Sequence, residues 1–195
     1  MQSKKVILKS ILSYQGLTSG YSFRGKIKHI HNGGVRVIQL KDFEDNYTYI
    51  GNDCYLVDSD MIKSKYYLES GDILFTGKGT NNFAIVFKNT DDTPTIASSA
   101  LFVIKVDQNI ANPNYVAWYI NQSKVQNYFK TNEAGTYNTS INKKTLEETP
   151  IALPSFEVQT KIAKIAKLHN QELVLSNKIR ELKNKLTTTQ LLNSL

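Results

Sequence analysis

Two stretches carry residue types and spacings that belong to a known chemistry, methyl transfer from S-adenosylmethionine. Phe75-Thr76-Gly77-Lys78-Gly79 has the F-x-G-x-G spacing of a turn whose backbone can approach that cofactor. Asn112-Pro113-Asn114-Tyr115 is one residue away from N-P-P-Y, the element that grips a flipped base, with Asn114 in place of the second proline. The chemistry requires a doubly wound sheet in which strands and helices alternate. The 36 residues between Phe75 and Asn112 read as successive strands, so the pair of matches is read as coincidence. Gly77-Lys78 also fails as a phosphate-binding loop, because Gly79 stands where Ser or Thr must meet magnesium. His29 and His31 face the same way on an extended segment, but a metal needs at least one more ligand and no Cys/His cluster supplies it. They read as surface histidines, with phosphate contact open to them. No Ser/His/Asp constellation or paired-carboxylate motif is present at a recognisable spacing, so the chain reads as non-catalytic.

Binding chemistry is better represented. Lys78, Asn81 and Asn82 combine a cation with two amides, groups that read purine edges. Thr136, Tyr137 and Asn138 lie in a second polar loop, followed directly by Lys143 and Lys144. Arg24, Lys26 and Lys28 flank Gly25. The formal net charge is +7, and it is segregated. Residues 1–41 hold eight bases and no acid, residues 42–60 six acids and no base, and residues 151–195 seven bases against three acids. An electropositive surface of this kind attracts phosphates, which makes double-stranded DNA the expected ligand and these eleven residues the candidate contacts.

The elements that must hold those loops follow from the patterning of the chain. Strands are expected at Val6–Leu8, Ile11–Leu12, Val35–Leu40, Tyr47–Ile50, Asp72–Thr76, Phe83–Phe87 and Leu101–Val106, with a turn region over Gly16–Gly20. A helix follows over 113–131, capped by Asn112 with Pro113 at its first position. Trp118 reads as packing. A short helix at Lys143–Glu148 and a strand at Pro150–Leu153 lead to a long helical pattern from Ser155, the expected N-cap, to about Gln190. That rod is roughly 50 Å long at 1.5 Å per residue. Ile165, Leu168, Leu175, Ile179, Leu182 and Leu186 recur along it at heptad spacing, with Glu172 the one polar member. A domain of this size cannot bury such a rod along its length, so the seam calls for another helix. With no second heptad segment in the chain, a second copy is the expected partner, the alternative being a C-terminal helix that lies on its own domain. The fold class is accordingly α+β: a mixed, largely antiparallel sheet domain with flanking helices over 1–154, then one long coiled-coil helix over 155–195.

At 195 residues the chain can hold one domain plus the rod. Eight Phe and eleven Tyr argue for a folded core. Cys54 is alone, which excludes a disulfide framework and favours a reducing compartment. No apolar run reaches membrane-spanning length, and the segment after Met1-Gln2-Ser3-Lys4-Lys5 is too weakly apolar for a secretion signal. The expected location is the cytoplasm.

The order of the motifs resembles one half of the specificity subunit of type I restriction–modification systems. The resemblance rests on Gly20-Tyr21-Ser22-Phe23-Arg24, on Val35 to Asp42, and on Leu68-Glu69-Ser70-Gly71-Asp72-Ile73-Leu74-Phe75. It also rests on Gly135-Thr136 and on Ile151-Ala152-Leu153-Pro154-Ser155-Phe156-Glu157-Val158-Gln159-Thr160-Lys161-Ile162 at the entry to the rod. It covers nearly the whole chain, and the last motif is the most specific. The F-x-G-x-G match falls inside the family's own strand-and-loop motif, which accounts for it without a cofactor. The resemblance implies a target-recognition domain followed by the family's spacer helix. In the family two such helices pack antiparallel between two DNA half-sites within a chain about twice as long. It therefore implies a half-length subunit, or a fragment, that dimerises through the rod to read a bipartite site.

It further implies a chain that performs no chemistry and holds no cofactor. S-adenosylmethionine and ATP would sit on partner subunits, the first on the modification subunits that methylate adenine, the second on a restriction subunit that cleaves. Lys161, Lys164 and Lys167, mostly off the seam, could serve docking of those subunits or DNA phosphates. Base contacts do not transfer by motif, so the candidate contacts rest on charge and loop chemistry. Two other readings fit the same residues: a small DNA methyltransferase, and a coiled-coil interaction or regulatory module without DNA affinity of its own.

Overall fold

Short apolar runs broken by Gly, Asn and Asp build this chain from many short strands. The computed structural model describes residues 3–44, 49–60, 62–78, 82–132 and 140–194. Strand β1 (Lys4–Ile7) leads into a 3-10 turn over Leu8–Ile11 that drives both Leu8 and Ile11 into the core. Strand β2 (Leu12–Ser19) follows, through the stretch whose glycines suggest a turn. Leu17 pairs with Ile104 and Leu12 with Val106, so β2 carries extra residues and bulges. Gly16, at φ +58°, supplies the left-handed conformation that the bulge needs. Gly16 therefore marks an irregularity within a strand, which corrects the expected turn.

Strands β3 (Val35–Ile38), β4 (Phe43–Glu44), β5 (Tyr49–Ile50) and β6 (Tyr55–Val57) come next. β3 stops short of Leu40 because the Asp42 carboxylate accepts from the Gln39 N–H at 2.7 Å and starts a 3-10 turn. β5 lies in the stretch expected to be a strand from Tyr47, which is itself outside the described residues. Then come β7 (Ile73–Thr76), β8 (Ala84–Val86), β9 (Thr95–Ala97) and β10 (Leu101–Val106). β10 organises the antiparallel sheet β2-β10-β7-β8, pairing with β2 on one edge and β7 on the other. A second sheet, β6-β3-β9, contains the parallel pair β3 and β9. The pairing of β4 with β5 is antiparallel.

The single helix expected over 113–131 is two helices, α1 (Pro113–Ile120) and α2 (Ser123–Asn132). The break has a cause. Asn121 leaves the helical run and its side-chain amide pairs with both backbone groups of Ala84, accepting from the N–H and donating to the C=O, each at 2.8 Å. It thereby occupies the free edge of β8, where unpaired backbone groups would otherwise stand exposed. Phe75 on β7 meets Phe129 on α2 with ring centroids 5.2 Å apart, which locks the helices onto the sheet.

Helix α3 (Lys143–Glu147) and strand β11 (Pro150–Leu153) return the chain to β1, with which β11 pairs antiparallel. Helix α4 (Phe156–Leu192) then runs 37 residues, about 55 Å. Ser155 occupies its N-cap position but makes no side-chain capping hydrogen bond. Only the base of α4 is packed: Gln159 and Ala163 are buried against α1, and every residue from Lys167 to Ser194 is exposed. The architecture is α+β, largely antiparallel, with one long C-terminal helix. Among the described residues no helix is long and apolar enough to cross a membrane.

Candidate nucleic-acid interface

The antiparallel order of the main sheet gathers loops at one end. β2 and β7 finish there, β8 and β10 begin there, and Gly20 donates its N–H to Leu101 O at 2.9 Å. Lys78, just past β7, forms a bridge with Ser140, and Ile141 donates to Gly77 O at 2.7 Å. The described flanks of the two polar segments, Gly77–Lys78 and Ser140–Ile141, are thus brought together in space. Gly77 makes the approach possible, since a Cβ there would lie 2.7 Å from the Phe102 ring and 3.0 Å from Ile141 O. The glycine of the F-x-G-x-G match therefore serves packing. Asn81, Thr136, Tyr137 and Asn138 fall outside the described residues.

Arg24, Lys26 and Lys28 sit on the segment that leaves this sheet end after Gly20. Phe23 and Ile27 pack inward beside Tyr21, and the three bases stay exposed. Farther along the segment His29 accepts at Nδ1 from Leu56 N at 3.1 Å, which fixes its Nε2 as the protonated nitrogen of the neutral ring. His31 packs edge-on against it, centroids 4.9 Å apart, and no group of three ligating side chains forms among the described residues. Lys143 and Lys144 on α3 face Glu147 and Glu148 at 3.8 and 4.0 Å. Exposed pairs of this kind contribute well under about 1 kcal/mol, so phosphate could still compete for both lysines.

The feature that sequence reasoning misses is a cleft of about 1630 Å³ between α4 and the face formed by β8, α1 and α2. It exceeds the roughly 300–1,000 Å³ of small-molecule sites, and its open shape suits a polymer. Asn82 lines it at one end of β8 and Lys88 at the other. Lys130 from α2 joins Lys167 and His169 from α4, and the amides of Asn114, Gln126 and Asn170 lie between. Among the described residues the sole acid of the lining is Asp91, which pairs with Arg36. The Arg36 guanidinium, helped by the Thr93 N–H, holds that carboxyl down at about 2. Trp118, expected to be packing, is half-buried and contributes to the wall. No spacing rule could find this constellation, because its cations come from three separate elements.

The residues of the second methyl-transfer look-alike do another job. Asn112 caps α1, its side-chain oxygen accepting from Asn114 N at 2.9 Å and Tyr115 N at 3.3 Å. Tyr115 donates its hydroxyl to Ala152 O, and burial pushes that phenol up to about 12. The Leu68–Asp72 motif is likewise structural. Asp72 accepts from Glu69 N at 2.9 Å and faces Lys105 at 3.3 Å, in a turn where Gly71 has φ +104°. Burial pushes the Asp72 carboxyl up despite these partners. Along α4, the six seam residues are each between 53% and 67% exposed.

Three solved structures similar to this fold come from type I restriction–modification systems. The S subunit of the type I restriction–modification system from M. genitalium superimposes with a TM-score of 0.60 at 13% identity, over 89% of this chain and 40% of that one. The HsdS subunit from Thermoanaerobacter tengcongensis gives 0.63 at 14% identity, over 91% and 44%. A chain from a structure on complex assembly and conformational transition of the type I R-M system gives 0.66 at 14%, over 94% and 45%. The chain thus spans less than half the length of these proteins, and at such identities the likeness is one of fold. No curated protein matches the sequence. The sequence profile of the type I restriction modification DNA specificity domain matches residues 8–187, and this chain belongs to that family.

Proposed function

We propose that this chain is a DNA-reading specificity subunit whose reading head, residues 1–154, is carried on a dimerising rod, residues 155–195. The open, electropositive, amide-lined cleft between head and rod is the observation that carries this reading. Phosphate contacts from Lys88, Lys130 and Lys167 would fix the duplex in register. The loops at the sheet end, with Lys78 and the neighbouring Arg24–Lys28 segment, would supply base contacts, while Asn82 is buried in the structure. The chain holds no cofactor in this scheme. S-adenosylmethionine belongs to modification subunits that methylate adenine, and ATP to a restriction subunit where one joins the complex.

The seam residues are the proposed dimer interface. An antiparallel pairing centred on Asn177 sets Leu168 opposite Leu186, Leu175 opposite Ile179 and Glu172 opposite Leu182, beside Lys183. A parallel pairing would set Glu172 against its own copy, a like-charge contact that is unfavourable. The antiparallel dimer has twofold symmetry and would read two half-sites at a fixed separation.

The test is a mobility shift with random duplex over a range of salt, with and without a modification subunit. Binding that weakens steeply as salt rises is the expected result. The absence of any shift at low salt in both arms would favour the interaction module without DNA affinity. S-adenosylmethionine binding by the chain alone would favour the methyltransferase reading.

A further inference from the structure

We propose that Gln159 is the positioning residue that fixes the inclination of the rod to the head. Its side chain is only 1% exposed. Its Oε1 accepts from Asn112 N at 2.9 Å, and its Nε2 donates to Ile110 O at 3.2 Å and to Pro154 O at 3.0 Å. The three partners come from two segments of the head, the turn that enters α1 and the end of β11. One amide thus ties the first turns of α4 to both. Ala163, one turn on, is buried against α1, and Asn112 Nδ2 reaches Thr160 Oγ1 at 3.4 Å. Beyond Ala166 no residue of α4 is buried to any degree that could resist tilting. The orientation of the long lever is therefore set within its first three turns, and Gln159 makes the directional contacts there.

Geometry amplifies the effect. From Ser155 to Lys183 the lever is roughly 42 Å long, so a tilt of about 10° displaces Lys183 by roughly 7 Å. That distance is about two steps of a duplex at roughly 3.4 Å per base pair. In the dimer, a part of the inference that rests on the proposed function, Gln159 would select the number of base pairs between half-sites.

Spin labels at Lys124→Cys on α2 and Lys183→Cys on α4, in chains diluted with unlabelled protein, report the tilt within one chain. This readout does not depend on DNA binding or on the dimer. The native distance distribution should be narrow, and Gln159→Met and Gln159→Glu should broaden it at least twofold. A label pair within the head, Lys9→Cys with Lys124→Cys, should stay unchanged in both variants. A broad native distribution, or variants as narrow as the native chain, overturns the proposal. Loss of the head distance in both variants overturns it as well, because Gln159 would then hold the head's fold and not the angle. In cells, methylated-adenine mapping should keep the half-site sequences of the native protein and spread the spacer length in Gln159→Met. Unchanged spacers beside a broadened tilt would sink the dimer reading and leave the joint standing.

Discussion

Replacing Leu175 by alanine tests the dimer through a single side chain. Complete burial of a leucine side chain stabilises by about 1.5–3 kcal/mol. Leu175 is 63% exposed on the rod, so covering it in a dimer contributes about 1–2 kcal/mol per chain. A twofold dimer carries the substitution twice, which weakens association by about 2–4 kcal/mol, or roughly 30- to 700-fold in Kd. Sedimentation across nanomolar to micromolar concentrations measures this directly, with circular dichroism to confirm that the helix content of the monomer is retained. Asn184→Ala, two residues beyond a seam position and off the stripe, should leave Kd within a factor of about three. The reasoning fails if the native chain sediments as a monomer at micromolar concentration. It also fails if Leu175→Ala and Asn184→Ala behave alike.

Three further outcomes follow from the geometry. Combining Lys88→Ala, Lys130→Ala and Lys167→Ala should weaken duplex binding and flatten the log–log salt slope by about 3, close to 0.9 per lost phosphate contact; an unchanged slope would remove the cleft from the interface. Asn121→Ala should cost about 1–3 kcal/mol, because it strands the buried N–H and C=O of Ala84, and calorimetry should register a fall of about 2–4 °C per kcal/mol. Burial, reinforced by the Asp42 carboxylate, pushes the Cys54 thiol from its ordinary 9.0 up to about 12. Alkylation at pH 8 should therefore follow unfolding and not track the thiolate. Because the folded value is raised, Cys54 contributes full stability below pH 9 and loses that contribution as pH climbs from 9 towards 12. Rapid modification of the native protein at pH 8 would contradict this.

The heptad helix was legible in the sequence, as were the short α3, β8 and β11, but two other short strands were not. A heptad stripe repeated from Ile165 to Leu186 specifies a helix at every turn, and α4 spans it. β6 and β9 are only three residues each, Tyr55–Val57 and Thr95–Ala97, too brief for alternation to show. They exist because β3 offers both of its edges to them. Asn121 could not be read as a helix breaker either, since its partner Ala84 lies 37 positions away. The site divides in the same manner. Composition marks Lys78, and its adjacency to Ser140 is a product of the sheet order. Lys88 and Lys130 carried no signal at all, as an isolated lysine in a polar segment looks the same whether or not it lines a cleft. Gln159 was visible within the entry motif to the rod, but its role depends on carbonyls that only the tertiary structure brings near.

β10 runs between two ends of the main sheet that do different work. Leu101 starts it beside the polar loops, and Val106 ends it next to Asp107, whose N–H donates to Ile11 O at 2.9 Å. From there the chain passes directly to Ile110 and Asn112, the groups that hold Gln159. The strand between them, paired on both sides over Phe102–Ile104, therefore separates the sheet end beside Lys78 from the joint at Gln159. A substitution at one end of the sheet thus need not disturb the geometry at the other.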